Sequence, residues 1–203
     1  MLRFTHTLPK TPYFVAVSGG PDSISTLDFF CNYRIKPKVI YYDHGTEHSK
    51  DAEPFVREVA AARGLKFCVG RPNFPKLKEE SKEEHWRKNR LHCFHCLEGP
   101  VITGHNLNDT IETWVWSSLH GESKLLPYRN GNVIRPFRAT PKSEMIAWCK
   151  KNGLQYLDDP SNADTSYIRN HIRHKLMPEA LVVNPGLEKV LLKKVLEDAK
   201  ANP

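Results

Sequence analysis

The stretch YFVAVSGGPDSISTLDFF, residues 13–30, decides the fold class of this chain. Residues 13–17 form an apolar run that predicts a strand, and residues 23–33 carry apolar side chains at helical spacing. Between them, SGGPDS supplies the glycines and the proline of a tight turn. A strand, a glycine-rich turn and a helix start present backbone N–H groups to an anion. The usual phosphate loop has a Lys before its final Ser or Thr, and this segment has none, so we expect a different kind of anion site.

Strands and helices alternate along the first half of the chain. Further strands are predicted at residues 38–42, 66–69 and 101–104, and helices at 51–63 and 108–119. Strands that alternate with helices of this length indicate βαβ units. We therefore expect an α/β fold with a doubly wound parallel sheet, in which helices cover both faces.

The remaining segments have a weaker pattern. Residues 71–80 are polar with two prolines and predict a loop, and residues 79–97 predict a basic helix between the third and fourth strands. Beyond residue 120 we expect a loop to residue 132, a strand at 133–135, a helix at 142–152, a basic helix at 170–177 and an amphipathic tail at 187–200.

The composition is that of an ordinary soluble protein with a basic surface. Of 203 residues, 39% are apolar and 26% are charged, which suits one α/β core with some additional material. The net charge of +7 indicates a polyanionic partner, although a solvated basic surface is the simpler interpretation. The sequence has no apolar stretch of membrane-spanning length and no apolar core of a signal peptide, so we expect a cytoplasmic protein without membrane contact.

The loop SGGPDS combines groups that suit a nucleotide phosphate. Gly19 and Gly20 allow close backbone approach, and Ser18 and Ser23 supply hydroxyls. A carboxylate such as Asp22 repels phosphate unless a cation lies between them, which indicates bridging Mg²⁺ or a contact with the other reactant. The alternative is an ordinary turn in which Asp or Ser caps the helix.

The hexapeptide SGGPDS resembles the pyrophosphate-loop (PP-loop) signature of the ATP pyrophosphatases, which split ATP into AMP and pyrophosphate while they adenylate a carbonyl oxygen. Five further stretches extend the resemblance over residues 13–180, in the motif order of the tRNA(Ile)-lysidine synthetase family. They are YYDHGTEHSKDAEPF, EEHWRKNRL, GHNLNDTIET, VIRPF and LDDPSNADTSYIRNHIRHKLMP. Several residues depart from the family's motifs: Trp86 and Leu91 stand at an Ala and a Tyr position, and Asn106, Asn108 and Thr110 replace His, Asp and Gln.

This resemblance implies a Rossmann-like PP-loop domain and a two-step reaction that uses ATP and Mg²⁺. ATP adenylates the 2-carbonyl oxygen of the wobble cytidine in a CAU-anticodon tRNA(Ile), and the ε-amine of free lysine then displaces AMP to give lysidine. We expect residues 1–155 to form the catalytic domain and residues 156–203 to form a basic turn and helical extension packed on it. Longer family members add C-terminal domains that bind the tRNA body, so we expect a short form without them in full, with a minimal recognition mode or a homodimer.

The resemblance also implies roles for individual residues, in four groups. ATP binding is implied for Ser18, Gly19, Gly20, Pro21, Asp22, Ser23, His44, Gly104 and His105, with Asp22 also available to Mg²⁺. Catalysis is implied for Asp22, Arg87 and Asp109. Lysine binding is implied for Asn108, Asp109 and Glu112. Contact with tRNA is implied for Arg90, Arg135, Arg169, Arg173 and Lys175.

Simpler structural explanations stay open for many of these residues. Arg87 and Arg90, three apart on one helix face, are also typical of a solvated basic surface. Asn108 or Asp109 is also suited to cap a helix. Residues 169–175 also fit an ordinary amphipathic helix.

The cluster LHCFHC, residues 91–96, is a weaker candidate for a site. Its CxxC pair and two His suggest zinc or redox chemistry. One helical turn does not readily wrap four ligands around one ion, and the sequence has no second CxxC, so we expect no zinc.

Related tRNA 2-thiocytidine synthetases use CxxC cysteines, so sulfur transfer to a tRNA base stays an alternative. An RNA-binding protein that has lost catalysis is another.

Overall fold

The computed structural model describes residues 2, 4–6, 10–32 and 36–202, which form a six-stranded sheet flanked by helices. The strands are β1 (Phe14–Ala16), β2 (Lys38–Tyr42), β3 (Phe67–Gly70), β4 (Val101–Thr103), β5 (Arg129–Asn130) and β6 (Val133–Ile134). Their order is β3-β2-β1-β4-β6-β5, and neighbours are parallel except β5 and β6, which are antiparallel. The predicted doubly wound parallel α/β fold is confirmed, with one antiparallel strand at its edge.

Helices follow the strands and then form the C-terminal part of the chain. They are α1 (Pro21–Cys31), α2 (Glu47–Ala62), α3 (Lys82–His95), α4 (Leu107–Leu119), α5 (Lys142–Lys151), α6 (Ile168–His171), α7 (Met177–Val183) and α8 (Leu187–Ala201). A 3-10 turn, Pro160–Ala163, and a π-helical turn, Ile172–Leu176, lie between α5 and α7. None of the helices in the described residues has the length and apolar character that crossing a membrane requires.

Polar side chains and a proline set where several helices begin. Thr46 accepts a hydrogen bond from the backbone N–H of Ser49 at the start of α2, so this helix begins four residues before the predicted residue 51. Helix α1 begins at Pro21 instead of the predicted residue 23, because proline is compatible with the first helical position. The predicted end of α1 at residue 33 lies outside the described residues.

Two predicted segments differ from the structure. Strand β5 falls within the predicted loop before residue 132, and it pairs with β6 as a two-residue edge strand. The basic helix predicted at 170–177 begins earlier, at Ile168, and passes through the π-helical turn before α7 begins at Met177. The structure therefore has an irregular helical segment where the sequence indicated one regular helix.

Buried side chains cover both faces of the sheet. Val15 of β1 packs with Leu27 and Phe30 of α1 on one face, whereas Phe14 packs with Phe94 of α3 on the other. Successive strand residues point to opposite faces, so β1 contributes to both layers. Each fully buried Leu or Phe side chain contributes about 1.5–3 kcal/mol relative to exposure. This two-sided burial is what a parallel sheet requires, and it fixes the carboxyl ends of the strands in space.

Helix α8 packs against α4 on the outside of this core. Leu191 and Val195 of α8 join Ile111 of α4 in a third apolar cluster. Arg138, whose side chain is fully buried, forms an ion pair with Asp198 of α8. The C-terminal helix is therefore held to the sheet domain by its buried apolar side chains and by the ion pair between Arg138 and Asp198.

Candidate active site

Three loops that follow parallel strands lie together at the carboxyl ends of those strands. SGGPDS follows β1, DHG follows β2 and GHN follows β4. After β1 the chain adds β2 and β3 on one side of it and then β4 on the other side. The strand order therefore changes direction at β1, although β1, β2 and β4 are all parallel. Such a switch point at the carboxyl ends of the strands is where open α/β sheets bind ligands.

The SGGPDS loop is closed by its own side chains. The backbone N–H of Ser18 donates to Ser23 Oγ at 3.1 Å, and Ser23 Oγ donates to the carbonyl of Gly20 at 2.9 Å. Gly19 has φ +94°, a conformation that other residues rarely adopt. Pro21 is the first residue of α1, and the start of this helix receives no side-chain cap. The uncapped helix start, with its positive dipole end, is suited to an anion.

Asp22 is the side chain of this loop with unused bonding capacity. Its Oδ1 is buried without a hydrogen-bond partner among the described residues, and its Oδ2 lies 3.5 Å from Lys142 Nζ. Burial raises the pKa of Asp22 to about 6, although Lys142 acts to lower it. The predicted candidate Asn108 explains the position of Lys142, because Asn108 Oδ1 accepts from the Lys142 backbone N–H at 3.0 Å where α5 begins.

Gly104 brings the β4 loop against α1. A Cβ atom at Gly104 would stand 2.5 Å from the backbone carbonyl oxygen of Asp22. No real side chain fits at that distance, so the glycine permits the contact between the loops that follow β1 and β4. Its position next to the predicted ATP site is thus also a packing requirement.

Two histidines line the site in their neutral form. Burial lowers the pKa of His44 to about 4, and His44 Nδ1 has no hydrogen-bond partner within the described residues. Burial lowers the pKa of His105 to about 3, and its Nδ1 lies 2.8 Å from Thr103 Oγ1. At neutral pH both rings therefore act as uncharged hydrogen-bonding groups.

Asp109 and Glu112 of α4 form an ion-pair network with two arginines of the C-terminal segment. Arg169 Nε donates to Glu112 Oε2 at 2.8 Å, and its NH2 contacts Asp109 Oδ1. Arg173 donates to both Glu112 oxygens, at 2.7 and 3.1 Å. Although burial acts to raise it, the pKa of Asp109 lies below its usual value because of the neighbouring positive charges, Arg169 first. We call these four residues the acid–arginine network.

Asp109 also completes the cap of its own helix. Asp109 Oδ2 accepts from the backbone N–H of Asn106 at 2.8 Å, while Asn106 Oδ1 accepts from the N–H groups of Asn108 and Asp109. This capping box satisfies the start of α4. The suggested helix-cap role and a site at Asp109 are therefore compatible.

Three further arginines, Arg87, Arg90 and Arg135, have no carboxylate partner in the described part of the chain, and the charge of Asp109 in the network acts on the last two. Burial lowers the pKa of Arg90 to about 10, and repulsion from Arg169 and Arg87 adds to this. Burial lowers the pKa of Arg135 to about 10, again with help from Arg87 and Arg90. Arg135 NH1 donates to the carbonyl of Pro127, and its buried Nε has no hydrogen-bond partner among the described residues. Arg87 is exposed.

Lys175 and the cysteines stand apart from this arrangement. Lys175 is an exposed residue of the π-helical turn. Cys93 Sγ occupies the space left by Gly70, whereas Cys96 is exposed with its Sγ 3.6 Å from His92 Nε2. Within the described ranges, no group of three or more His, Cys, Asp or Glu side chains could hold a metal ion.

Two features of the site were missed from the sequence. Lys142 follows a proline at a helix start and belongs to none of the quoted motifs, so only the fold reveals its contact with Asp22. Trp86 was noted only as a departure from a motif, yet its ring lies 5.5 Å from His44 and 6.1 Å from Tyr167, centroid to centroid.

Comparison with known proteins adds a family and several relatives. The sequence model of the PP-loop domain matches residues 1–180. A tRNA(Ile)-lysidine synthase of Vibrio parahaemolyticus is 30% identical over 198 residues, which cover 87% of this chain and 45% of the relative. Enzymes of the same name from Thermosipho africanus and Geobacillus kaustophilus are 32% and 31% identical, over 88% and 85% of this chain and 46% and 42% of their own length. The chain thus spans less than half the length of these relatives.

A solved structure shares the fold. The U34-tRNA thiolase NcsA from Methanococcus maripaludis, determined with its [4Fe-4S] cluster, matches with a TM-score of 0.67 over 97% of this chain and 73% of its own. Its sequence identity is 16%, so the likeness extends to the fold alone.

Proposed function

Since this chain belongs to the PP-loop domain family, we propose that it uses ATP to activate the wobble cytidine of a CAU-anticodon tRNA(Ile) and joins lysine to it. The cytidine O2 attacks the α-phosphorus of ATP, and pyrophosphate leaves. The ε-amine of lysine then attacks C2 of the adenylated base, its protons are released, and AMP leaves with the former carbonyl oxygen. The product is lysidine.

The unpartnered Oδ1 of Asp22 is the observation that carries this proposal. A buried carboxylate oxygen without a partner is unfavourable, and this one lies in SGGPDS, the loop that resembles the pyrophosphate-loop signature. A cation would satisfy it, so the loop fits Mg²⁺, which often binds through one or two carboxylates together with substrate phosphates. When bound, Mg²⁺ would offset the charge that develops on the leaving pyrophosphate. Lys142, at the other Asp22 oxygen, is a second cation for the same purpose.

The loop residues of this chain have complementary tasks in the proposed ATP site. The uncapped start of α1 is suited to phosphate oxygens, and the exposed Ser18 hydroxyl, now 3.3 Å from Ser23 Oγ, would donate to them after rotation. Gly19 supplies the positive-φ turn of the loop, the half-buried Gly20 has no side chain to block a ligand, and neutral His44 and His105 offer hydrogen bonds without adding charge. Gly104 keeps the β4 loop close to these groups.

We place the lysine amine at Asp109 and Glu112, with Asn108 nearby. These carboxylates are buried and already paired, so the ammonium has to replace a guanidinium contact. Arg169, with 42% of its side chain exposed, is the more accessible of the two arginines. Exchange of one cation for another keeps the buried carboxylates neutralised, which avoids the large cost of an unpaired buried charge.

We assign the tRNA phosphates to the cations that have no carboxylate partner. Arg87 is exposed and Arg90 and Arg135 approach it from the interior, so positive charge accumulates at one side of the site. Arg173 is paired with Glu112 and the exposed Lys175 stands apart from these arginines, so we give both only a secondary contact with tRNA, from the C-terminal segment. Such a surface raises the local concentration of a polyanion and makes its binding salt-dependent. For an enzyme with this substrate we also propose a cytoplasmic location. We further propose that the chain is able to form a homodimer, which sedimentation measurements would test.

The test is incorporation of lysine into tRNA. Purified protein is incubated with a CAU-anticodon tRNA(Ile) transcript, ATP, Mg²⁺ and isotope-labelled lysine, and the nucleosides are analysed by mass spectrometry. We expect labelled lysidine at the wobble position and an equal amount of AMP. Modification that proceeds without lysine but requires a sulfur source would contradict the proposal in favour of thiolation. RNA binding with no modification at all would contradict it in favour of a binding protein.

Asp22→Ala is the matching variant, and Asp51→Ala, at an exposed position of α2, is its control. We expect Asp22→Ala to abolish modification and leave the melting temperature near that of the wild type, because the carboxylate loses only a 3.5 Å contact with the partly exposed Lys142 and the backbone hydrogen bonds are kept. Asp51→Ala should keep both. Full activity in Asp22→Ala would remove the role given to this carboxylate.

A further inference from the structure

A short series of aromatic rings lies beside the candidate active site. Tyr42 at the end of β2 is followed by His44, 4.8 Å away between ring centroids. His44 faces Trp86 of α3 at 5.5 Å, and Trp86 faces Tyr167, before α6, at 6.1 Å with an angle of 31° between the planes. The last two rings come from segments about 80 residues apart in sequence.

Packing does not account for Trp86 and Tyr167. Both are only partly buried, and neither belongs to any of the three apolar clusters that the described residues form. In the described part of the chain, neither the Trp86 indole N–H nor the Tyr167 hydroxyl has a hydrogen-bond partner. Aromatic residues with an apolar face and a free polar group are typical of binding surfaces.

The surroundings of these rings match a nucleotide. Arg87 is next to Trp86 in sequence, and Arg90 lies one turn further along α3, so cations for phosphate flank the rings. Neutral His44 presents an unpartnered Nδ1 next to Trp86, which suits the polar edge of a base. A flat apolar face, an uncharged hydrogen-bonding group and flanking arginines are the three elements of nucleobase recognition by stacking.

We propose that Trp86 is the stacking platform for a nucleobase, with Tyr167 closing over the base and His44 bonding to its edge. The inference rests on the proposed function only for the source of the base, which is either the adenine of ATP or an unstacked base of the tRNA. The rings are tilted rather than stacked face to face, so a base is able to settle on Trp86 once Tyr167 turns. In the sequence, this platform is indicated only by Trp86, which stands where the motif that this stretch resembles has Ala.

Binding measurements with Trp86→Ala and Trp86→Phe test this platform. A non-hydrolysable ATP analogue and a CAU anticodon stem-loop are titrated separately, by calorimetry and by fluorescence anisotropy. We expect Trp86→Ala to weaken one of these ligands about tenfold, the usual loss for a base–aromatic stack. Trp86→Phe, which keeps a ring, should lose much less. A loss with the ATP analogue identifies adenine, and a loss with the stem-loop identifies an RNA base.

Trp116→Ala is the matched control, because Trp116 is an exposed Trp on α4 that stacks on His120. Its affinities should equal those of the wild type. Tyr167→Ala provides a second variant if Trp86→Ala melts at a much lower temperature. Binding of both ligands within twofold of wild type by folded Trp86→Ala and Tyr167→Ala would overturn the inference. Neither titration needs turnover, so the two proposals are tested separately. If the wild type forms no lysidine but Trp86→Ala still loses tenfold in binding, the proposed function is rejected and the stacking platform is retained.

Discussion

Replacing Glu112 by Gln tests whether the acid–arginine network holds the C-terminal segment to the sheet domain. Glu112 is 5% exposed and accepts three hydrogen bonds, one from Arg169 and two from Arg173. The amide has almost the same shape, so packing is kept. However, it carries no charge, and its NH₂ group is a donor that faces other donors. The variant therefore isolates the electrostatic part of the contact.

The expected loss follows from the burial of each partner. Removal of one member of a fully buried ion pair costs about 3–5 kcal/mol. Here the arginine side chains are 42% and 25% exposed, so water reaches and screens them. We therefore expect a loss of about 2 kcal/mol in the free energy of unfolding. For a chain of this size this corresponds to a melting temperature lower by about 4–8 °C.

Urea denaturation followed by circular dichroism measures this loss, with Glu47→Gln as the matched control. Glu47 pairs with Lys50 on the surface, where the two side chains are 89% and 72% exposed, and its loss should stay within about 0.5 kcal/mol. A double variant with Arg173→Gln should lose clearly less than the sum of the two single variants, because the second change removes a charge that the first left unpaired. Equal losses in Glu112→Gln and Glu47→Gln would refute the reasoning.

Three further changes probe the loops around the site. Gly104→Ala forces a Cβ against the carbonyl of Asp22 and should lower the free energy of unfolding by about 1–3 kcal/mol, measured in urea; wild-type stability would show that the β4 loop is free to move. Asn108→Ala removes the cap of α5 and should cost about 1 kcal/mol in the same assay, whereas Asn108→Asp keeps the acceptor and should cost less. The His44 pKa is lowered from 6.5 to about 4, so its contribution to stability is complete above pH 6.5 and is lost as the pH falls to 4. Relative to His44→Gln, the wild type should lose at most about 3 kcal/mol over that range, and parallel pH profiles of the two proteins would contradict this.

The parts of the fold that the sequence predicts well are those with strong local patterns. KVIYY contains two β-branched and two aromatic residues, which favour a strand, and it becomes β2 with the predicted ends, Lys38–Tyr42. Strand β5 carries no such signal, since it consists of Arg129 and Asn130 and exists through its hydrogen bonds to β6. The π-helical turn is equally invisible, because its five residues make about one turn, which is too short for a helical period to be recognised in the sequence.

For the candidate site, the sequence predicts which residues are present but not how they pair. The motifs bring Asp109 and Arg169 to attention as separate candidates for an amine and for phosphate. Their contact spans 60 residues, and helical or strand periodicity carries no information at that distance. The same holds for Lys142, whose partner Asp22 is 120 residues away. Such pairs become visible only when the sheet order has placed the loops after β1 and β4 side by side.

The pairing changes what the charges of the site imply. Two acids and two arginines cancel within the acid–arginine network, so the network adds little to the field that an approaching ligand meets. Arg87, Arg90 and Arg135 remain, and their mutual repulsion in a partly buried place is unfavourable for the free protein. A polyanion relieves that repulsion when it binds, whereas a lysine ammonium increases it. The electrostatics of this site therefore favour phosphate-bearing ligands first, and in the proposed reaction a lysine ammonium would bind more easily once phosphates neutralise Arg87, Arg90 and Arg135.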